Sequence, residues 1–102
     1  MSKYRLDFTE DAGRDLNRIK KYYARRIVKR IEATLLYGAE DVTRIGVRKL
    51  RGFETLYRLR VGDYRVFYQV KSEEVTLLRV LSKQEEAEFY KEAKSYEGDP
   101  HI

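Results

Sequence analysis

The segment Tyr57-Arg58-Leu59-Arg60-Val61-Gly62-Asp63-Tyr64-Arg65-Val66-Phe67-Tyr68-Gln69-Val70 restricts the fold more than any other part of this 102-residue chain. Two runs that alternate with period two flank Gly62-Asp63, and such a pair between such runs marks a tight β-hairpin. Alternation sends Tyr57, Leu59 and Val61 to one face of the first strand and Arg58 and Arg60 to the other. In the second strand Tyr64, Val66, Tyr68 and Val70 share a face, with Arg65, Phe67 and Gln69 opposite. Pairing the apolar faces places Arg65 beside Arg58 and Arg60 on a single exposed cationic sheet surface.

The rest of the chain builds around this hairpin. A third strand over residues 74–82 follows a Ser72-Glu73 turn, and the hairpin's first strand starts at Thr55. Near the N-terminus residues 4–8 alternate as a half-buried strand, and Thr9 supplies an N-cap with Glu10 and Asp11 behind it. Ala12, Leu16, Ile19 and Tyr23 form one helical stripe. Ile27, Val28, Ile31, Leu35 and Leu36 form another, ending at Gly38. The stripes do not share a face, which favours two helices with a bend near residues 20–24 over one bent helix of about 28 residues. Residues 38–54 show no sustained period and read as a loop with room for a short strand at its end. Residues 84–96 carry Ala87, Tyr90, Ala93 and Lys94 at helical spacing. The order is β-α-α-β-β-β-α, an α+β fold with a mostly antiparallel sheet, a helical hairpin near the N-terminus and a C-terminal helix. One domain over residues 1–96 is expected, with a flexible tail at 97–102.

Composition narrows the chemistry. With no Cys, disulfides, thiolate metal sites and Cys nucleophiles are excluded. The one His, His101, falls in the expected tail, so a His general base, a Ser-His-Asp triad and a His-held metal are not expected. No cofactor or metal is implied, and an enzyme of this composition works with Lys, Arg, Tyr and carboxylates. No run is long enough to span a membrane, and the first residues lack the apolar stretch of a signal peptide, so a soluble cytoplasmic protein without a membrane partner is expected.

The charge of +5 is unevenly spread. Residues 48–66 carry six cations against Glu54 and Asp63, whereas residues 84–102 are net acidic. Clustered guanidiniums repel unless carboxylates or an anionic ligand neutralise them. A polyanion, nucleic acid foremost, suits the basic middle, because Arg holds phosphate oxygens bidentately and stays charged. It also suits stabilising a phosphorane during RNA cleavage. The competing reading is an Arg-rich face covered by the C-terminal helix and neutralised by Glu85, Glu86, Glu88 and Glu92. Tyr90 is in phase with Ala87 and Ala93, so packing competes with chemistry there. Arg79, in phase with Leu77 and Leu81, reads as structural or partner-facing. Arg14, Arg18, Lys20, Lys21, Arg25, Arg26, Lys29 and Arg30 make the helices basic, as RNA phosphates or solvent would favour.

The element Lys49-Leu50-Arg51-Gly52, followed by Leu56-Tyr57-Arg58-Leu59-Arg60 and Gly62-Asp63-Tyr64-Arg65-Val66-Phe67-Tyr68-Gln69-Val70, resembles the RelE family of the RelE/ParE superfamily. These are the toxin halves of type II toxin–antitoxin pairs, and the order of elements derived above matches their fold along nearly the whole chain. The resemblance implies a cytoplasmic, metal-independent endoribonuclease that cuts mRNA on the ribosome by 2′-OH attack on the adjacent phosphate. Its partners would be the ribosome, mRNA and a cognate antitoxin.

Carried over by position, the family's basic residues fall on Arg58, Arg60 and Arg65, and its tyrosine near the start of the last helix falls on Tyr90. Lys49, Arg51 and Phe67 would contact RNA. The basic pair after the last strand reads Lys83-Gln84, with neutral Gln84 where the family places an Arg that assists the leaving 5′-oxygen or stabilises the transition state. Lys83 is the substitute at hand if the strand ends before it. Arg or Lys with a lowered pKa, or Tyr90, remain open as general base. A ParE-like gyrase inhibitor and a catalytically weakened relative that binds RNA or antitoxin are the competing functions.

Overall fold

A computed structural model describes residues 3–97. Strand β1 (Arg5–Phe8) ends at Thr9, whose Oγ1 accepts the Ala12 N–H at 3.1 Å and opens helix α1 (Glu10–Arg18). Glu10 and Asp11 in its first turn have the sign of charge a helix N-terminus favours. Helix α2 (Lys21–Gly38) follows a break at Ile19 and Lys20, whose ψ angles of 142° and 137° are not helical, so there are two helices and not one bent rod. The break lets Leu16 and Ile19 reach the same sheet face as Ile27, Ile31 and Leu35 although the stripes differ in phase.

The sheet has five strands in the order β1-β5-β4-β3-β2, with β2 (Val47–Lys49), β3 (Leu56–Val61), β4 (Tyr64–Lys71) and β5 (Glu74–Ser82). Only β1 and β5 run parallel. The fifth strand, β2, lies in the middle of the 38–54 segment and not at its end, where the sequence left room for a short strand. Gly46, just before it, has φ +86°, and an added Cβ there would sit 2.8 Å from the Arg60 carbonyl oxygen. Glycine alone fits both the backbone angle and the approach.

Helices α1 and α2 cover one face of the sheet, burying Tyr57, Leu59, Val61, Val66 and Tyr68 against Ile27, Ile31 and Leu35. On the other face Leu50, Leu56, Phe67, Leu78 and Leu81 pack against Phe89 and Ala93 of the C-terminal helical segment. That segment is a 3₁₀ turn (Lys83–Glu85) followed by α3 (Glu86–Glu92) and α4 (Lys94–Glu97), where the sequence suggests one helix. Glu97, expected in the tail, accepts hydrogen bonds from the backbone N–H of Glu54 and Thr55 and from the Thr55 hydroxyl. This contact between distant residues is invisible to local periodicity. The rest of the expected tail, His101 included, lies outside the described residues. No described helix is long and apolar enough to cross a membrane.

A register slip in β5 sets the relation between the two faces. Phe67 pairs with Arg79 and Tyr68 with Leu77, which leaves Leu78 as a bulge. Leu77 therefore packs on the α1–α2 side and Leu81 on the α3 side, so Arg79 does not keep the common phase the sequence suggests. Strand β1 ends opposite Leu77, and side chains of the Thr9–α1 segment take over its edge. The Thr9 hydroxyl donates to the Leu78 carbonyl, and buried Asp15 accepts the Val80 N–H at 2.9 Å. Asp15 also receives two bonds from the Arg79 guanidinium (2.8 and 3.1 Å), whose third nitrogen binds Glu92 of α3 at 2.9 Å. These bonds, those to Asp15 first, hold the Arg79 pKa above its ordinary value against the opposing effect of burial.

Removing one member leaves buried charge without a partner, so Asp15→Ala is expected to cost about 3 kcal/mol in a urea unfolding titration; a loss below about 1 kcal/mol would contradict this account of the bulge. Acid should loosen the fold through Glu97. Burial raises its pKa, but the hydrogen bonds from Thr55 and the Glu54 N–H outweigh that and hold it below the ordinary 4.5. Its stabilisation is complete above pH 4.5 and fades as pH falls through the lowered folded value. Glu97→Gln should flatten this acid limb of a Tm-against-pH curve.

Candidate nucleic-acid interface

The β3–β4 register pairs Arg60 with Arg65 and Arg58 with Phe67, and the β2–β3 register pairs Arg48 with Arg58. Paired residues project to the same side, so Arg48, Arg58, Arg60 and Arg65 share the sheet face opposite α1 and α2. Arg48 is absent from the sequence reading. The alternation Val47-Arg48-Lys49-Leu50 carried the signal, but only the pairing partner fixes its parity. Lys49 pairs opposite Tyr57, which packs on the helix side, so register places Lys49 off the cationic face. Both Lys49 and Arg51 are exposed.

The arginines differ in burial. Arg60 is exposed and Arg58 half-buried, but Arg65 is only 7% exposed, which corrects the expectation of three open guanidiniums. Its Nη1 donates to the carbonyls of Gly62 (3.1 Å) and Tyr64 (3.3 Å), and its Nε lies 3.5 Å from Glu86 Oε2. Phe67 is fully buried under Phe89, the rings stacked at 4.1 Å, and so is removed from the RNA-contacting set. One cause underlies both corrections: α3 packs across this end of the face, held by the Phe67–Phe89 stack and the Arg79–Glu92 bond.

Tyr90 sets its ring edge-on to Phe67 and Phe89 yet remains 46% exposed, so packing and exposure coexist in one side chain. β5 ends at Ser82, and Lys83 opens the 3₁₀ turn with an exposed side chain and a backbone N–H donated to the Asp63 carbonyl. Gln84 lines a groove of about 430 Å³ with Tyr23, Arg26 and the Gly62-Asp63 turn. A second groove of about 380 Å³ adjoins it, and neither is lined by Arg58, Arg60 or Arg65.

Of the four glutamates offered as neutralising partners, only Glu86 reaches the hairpin arginines. Glu92 pairs with Arg79, Glu85 closes a capping box with Ser82, and Glu88 is exposed. Burial, then the neighbouring Arg65, lowers the Arg58 pKa, with Arg48 adding to the effect and Tyr90 and Glu86 opposing it. Three buried atoms, Arg58 Nε, Arg65 Nε and Glu86 Oε2, have no hydrogen-bond partner among the described residues. Such orphans are costly, and here two donors and one acceptor occur in the same cluster.

A sequence model of the ParE toxin of type II toxin–antitoxin systems (parDE) matches residues 6–87. A curated relative, Toxin RelE3 of Methanocaldococcus jannaschii, is 26% identical over 76 residues, 74% of this chain and 86% of the relative. Among solved structures, a doubly substituted E. coli toxin RelE in the free state superposes with a TM-score of 0.73 at 25% identity, covering 94% of this chain and 98% of that one. The archaeal RelE-RelB complex from Pyrococcus horikoshii OT3 matches with a TM-score of 0.67 at 28% identity, over 79% of this chain and 96% of its own. With the five-stranded, mostly antiparallel sheet and the matched segment spanning most of the chain, the protein belongs to the RelE/ParE superfamily as a RelE-family toxin of a type II toxin–antitoxin system.

Proposed function

We propose that this toxin is a ribosome-dependent mRNA endonuclease that cleaves without a metal, by attack of a ribose 2′-OH on the adjacent phosphate. The observation that carries the reading is the strand register that sets Arg48, Arg58, Arg60 and Arg65 on one sheet face, with Arg48 and Arg60 exposed, Arg58 half-buried and Arg65 buried against Glu86. Fixed donors aimed at a phosphorane stabilise its charge without reorganising during the reaction. Arg58 and Arg65 would hold the non-bridging oxygens, with Arg60 and Arg48 drawing the backbone in. Tyr90 and Lys83 would serve the leaving 5′-oxygen, Lys83 in place of the missing Arg at Gln84. Lys49 and Arg51 would steer RNA from the sheet edge. The antitoxin partner, by analogy with the RelE-RelB complex, would mask the basic surface with an amphipathic or acidic segment that folds on binding. The site of action would be the cytoplasm, where ribosomes and mRNA are found.

One observation keeps a second reading in view. Gln84 faces the groove beside α2 and can supply no charge, so a weakened toxin that binds RNA or antitoxin without cutting remains the competitor.

Purified ribosomes programmed with a defined mRNA should acquire new 5′ ends within A-site codons, mapped by primer extension, when this protein is added. Cuts only after Gln84→Arg would establish the weakened reading, and no cuts alongside inhibition of gyrase supercoiling would establish a ParE-like activity. Within the endonuclease, Arg60→Ala should lower cleavage by about 10²-fold at unchanged Tm. Arg65→Ala should abolish cleavage and also cost about 1–3 kcal/mol of stability, because the turn carbonyls and Glu86 lose their partner. Undiminished cleavage in either variant would remove that arginine from the site.

A further inference from the structure

We infer that Glu86 is the general base of the cleavage reaction, an inference that rests on the endonuclease reading above. Cleavage by a 2′-OH needs an acceptor for its proton at the place where the phosphate is held. The arginines of the face cannot supply one, since a guanidinium stays protonated even when burial weakens it. Glu86 Oε2 is a buried acceptor that makes no hydrogen bond among the described residues; its ion-pair partner, Arg65 Nε, stands off at 3.5 Å and is likewise without a hydrogen bond. Arg58 Nε is the third orphan, and Glu86 lies within its electrostatic reach.

Two donors and one acceptor form the complement of a ribose 3′-phosphate. Its two non-bridging oxygens accept, and its 2′-hydroxyl, attached next to the same phosphate, donates. A ribonucleotide that parts the 3.5 Å Arg65–Glu86 contact would give all three atoms hydrogen-bond partners at once, whereas an inorganic anion parting it would leave Glu86 Oε2 unpaired and repelled. Glu86 begins α3 one helical turn before Tyr90, which places carboxylate and phenol along the same side of the helix.

The step balances. Glu86 Oε2 takes the 2′-OH proton as the 2′-oxygen bonds to phosphorus. The bond from phosphorus to the 5′-oxygen breaks, and that oxygen takes the Tyr90 phenol proton. The products are a 2′,3′-cyclic phosphate and a 5′-hydroxyl, and solvent then carries the proton from Glu86 back to Tyr90. Arg65 of β4 lies 3.5 Å from the carboxylate, Arg58 of β3 feels the charge of both Glu86 and Tyr90, and Arg48 of β2 pairs beside Arg58.

The test compares wild type, Glu86→Gln and Glu86→Asp in single-turnover cleavage of a defined mRNA on purified ribosomes across pH, with thermal melts as the folding control. A parallel binding measurement uses the same mRNA with a 2′-deoxy nucleotide at the cleaved position. Wild type should show an acid limb of unit slope in log rate. Glu86→Gln should cut about 10²- to 10³-fold more slowly, lose that limb, and bind the deoxy mRNA at least as tightly as wild type. Glu86→Asp should recover part of the rate together with the limb.

Cleavage by Glu86→Gln equal to or faster than wild type would show the carboxylate to be a counter-ion that RNA must displace, and would overturn the inference while leaving the endonuclease reading intact. A slow Glu86→Gln that keeps the acid limb would reduce Glu86 to positioning Arg65 and would overturn it likewise. A wild type that cuts no mRNA would overturn both readings together.

Discussion

Arg79 is the side chain on which the arrangement of this protein depends. It lies next to the β5 bulge and binds Asp15 of α1 in one direction and Glu92 of α3 in the other. Asp15 also caps the β5 edge that β1 leaves uncovered, by accepting the Val80 N–H. Charges this well enclosed contribute little net stability when satisfied and cost heavily when broken, so the network acts mainly to exclude alternative dockings. By fixing α3 on the sheet it determines where Glu86 and Tyr90 lie.

The cationic face shows how charge is tolerated without being cancelled. Arg58 and Arg65 are brought into a partly dry cluster by a hairpin whose register leaves them no alternative side. Local sequence supplies only Glu54 and Asp63 nearby, and the compensating carboxylate comes from the acidic C-terminal segment, through Glu86. Even so three polar atoms stay without hydrogen bonds among the described residues. Among the described residues the buried side-chain atoms without a hydrogen bond are confined to this cluster, which adjoins exposed Arg60.

Much of this was legible in the chain. The three strands of the meander fall within one residue of where alternation and turn residues place them, because Gly62 at φ +58° and Ser72 at φ 55° adopt the left-handed angles of tight hairpin turns. The Thr9 cap and the two helices follow from short-range hydrogen bonding and stripe phase. Less legible was Arg48, whose parity depends on pairing with a strand ten residues away, and the burial of Phe67 and Arg65, which depends on α3 lying over them. Arg79 kept its structural role, but its phase was altered by the bulge, a feature without a local sequence signal.

The sequence by itself determined the elements, the hairpin and the presence of Arg58, Arg60 and Arg65 on one face, since these follow from a period of two and a turn of two residues. Tertiary structure alone decided which of those arginines faces solvent, which carboxylate reaches them, and that Gln84 turns into a separate groove. The physical reason is distance. Alternation is set by neighbouring residues, whereas burial and charge pairing are set by where α3 docks, and that docking is fixed by Arg79 contacts that join Asp15 to Glu92 across the edge of the sheet.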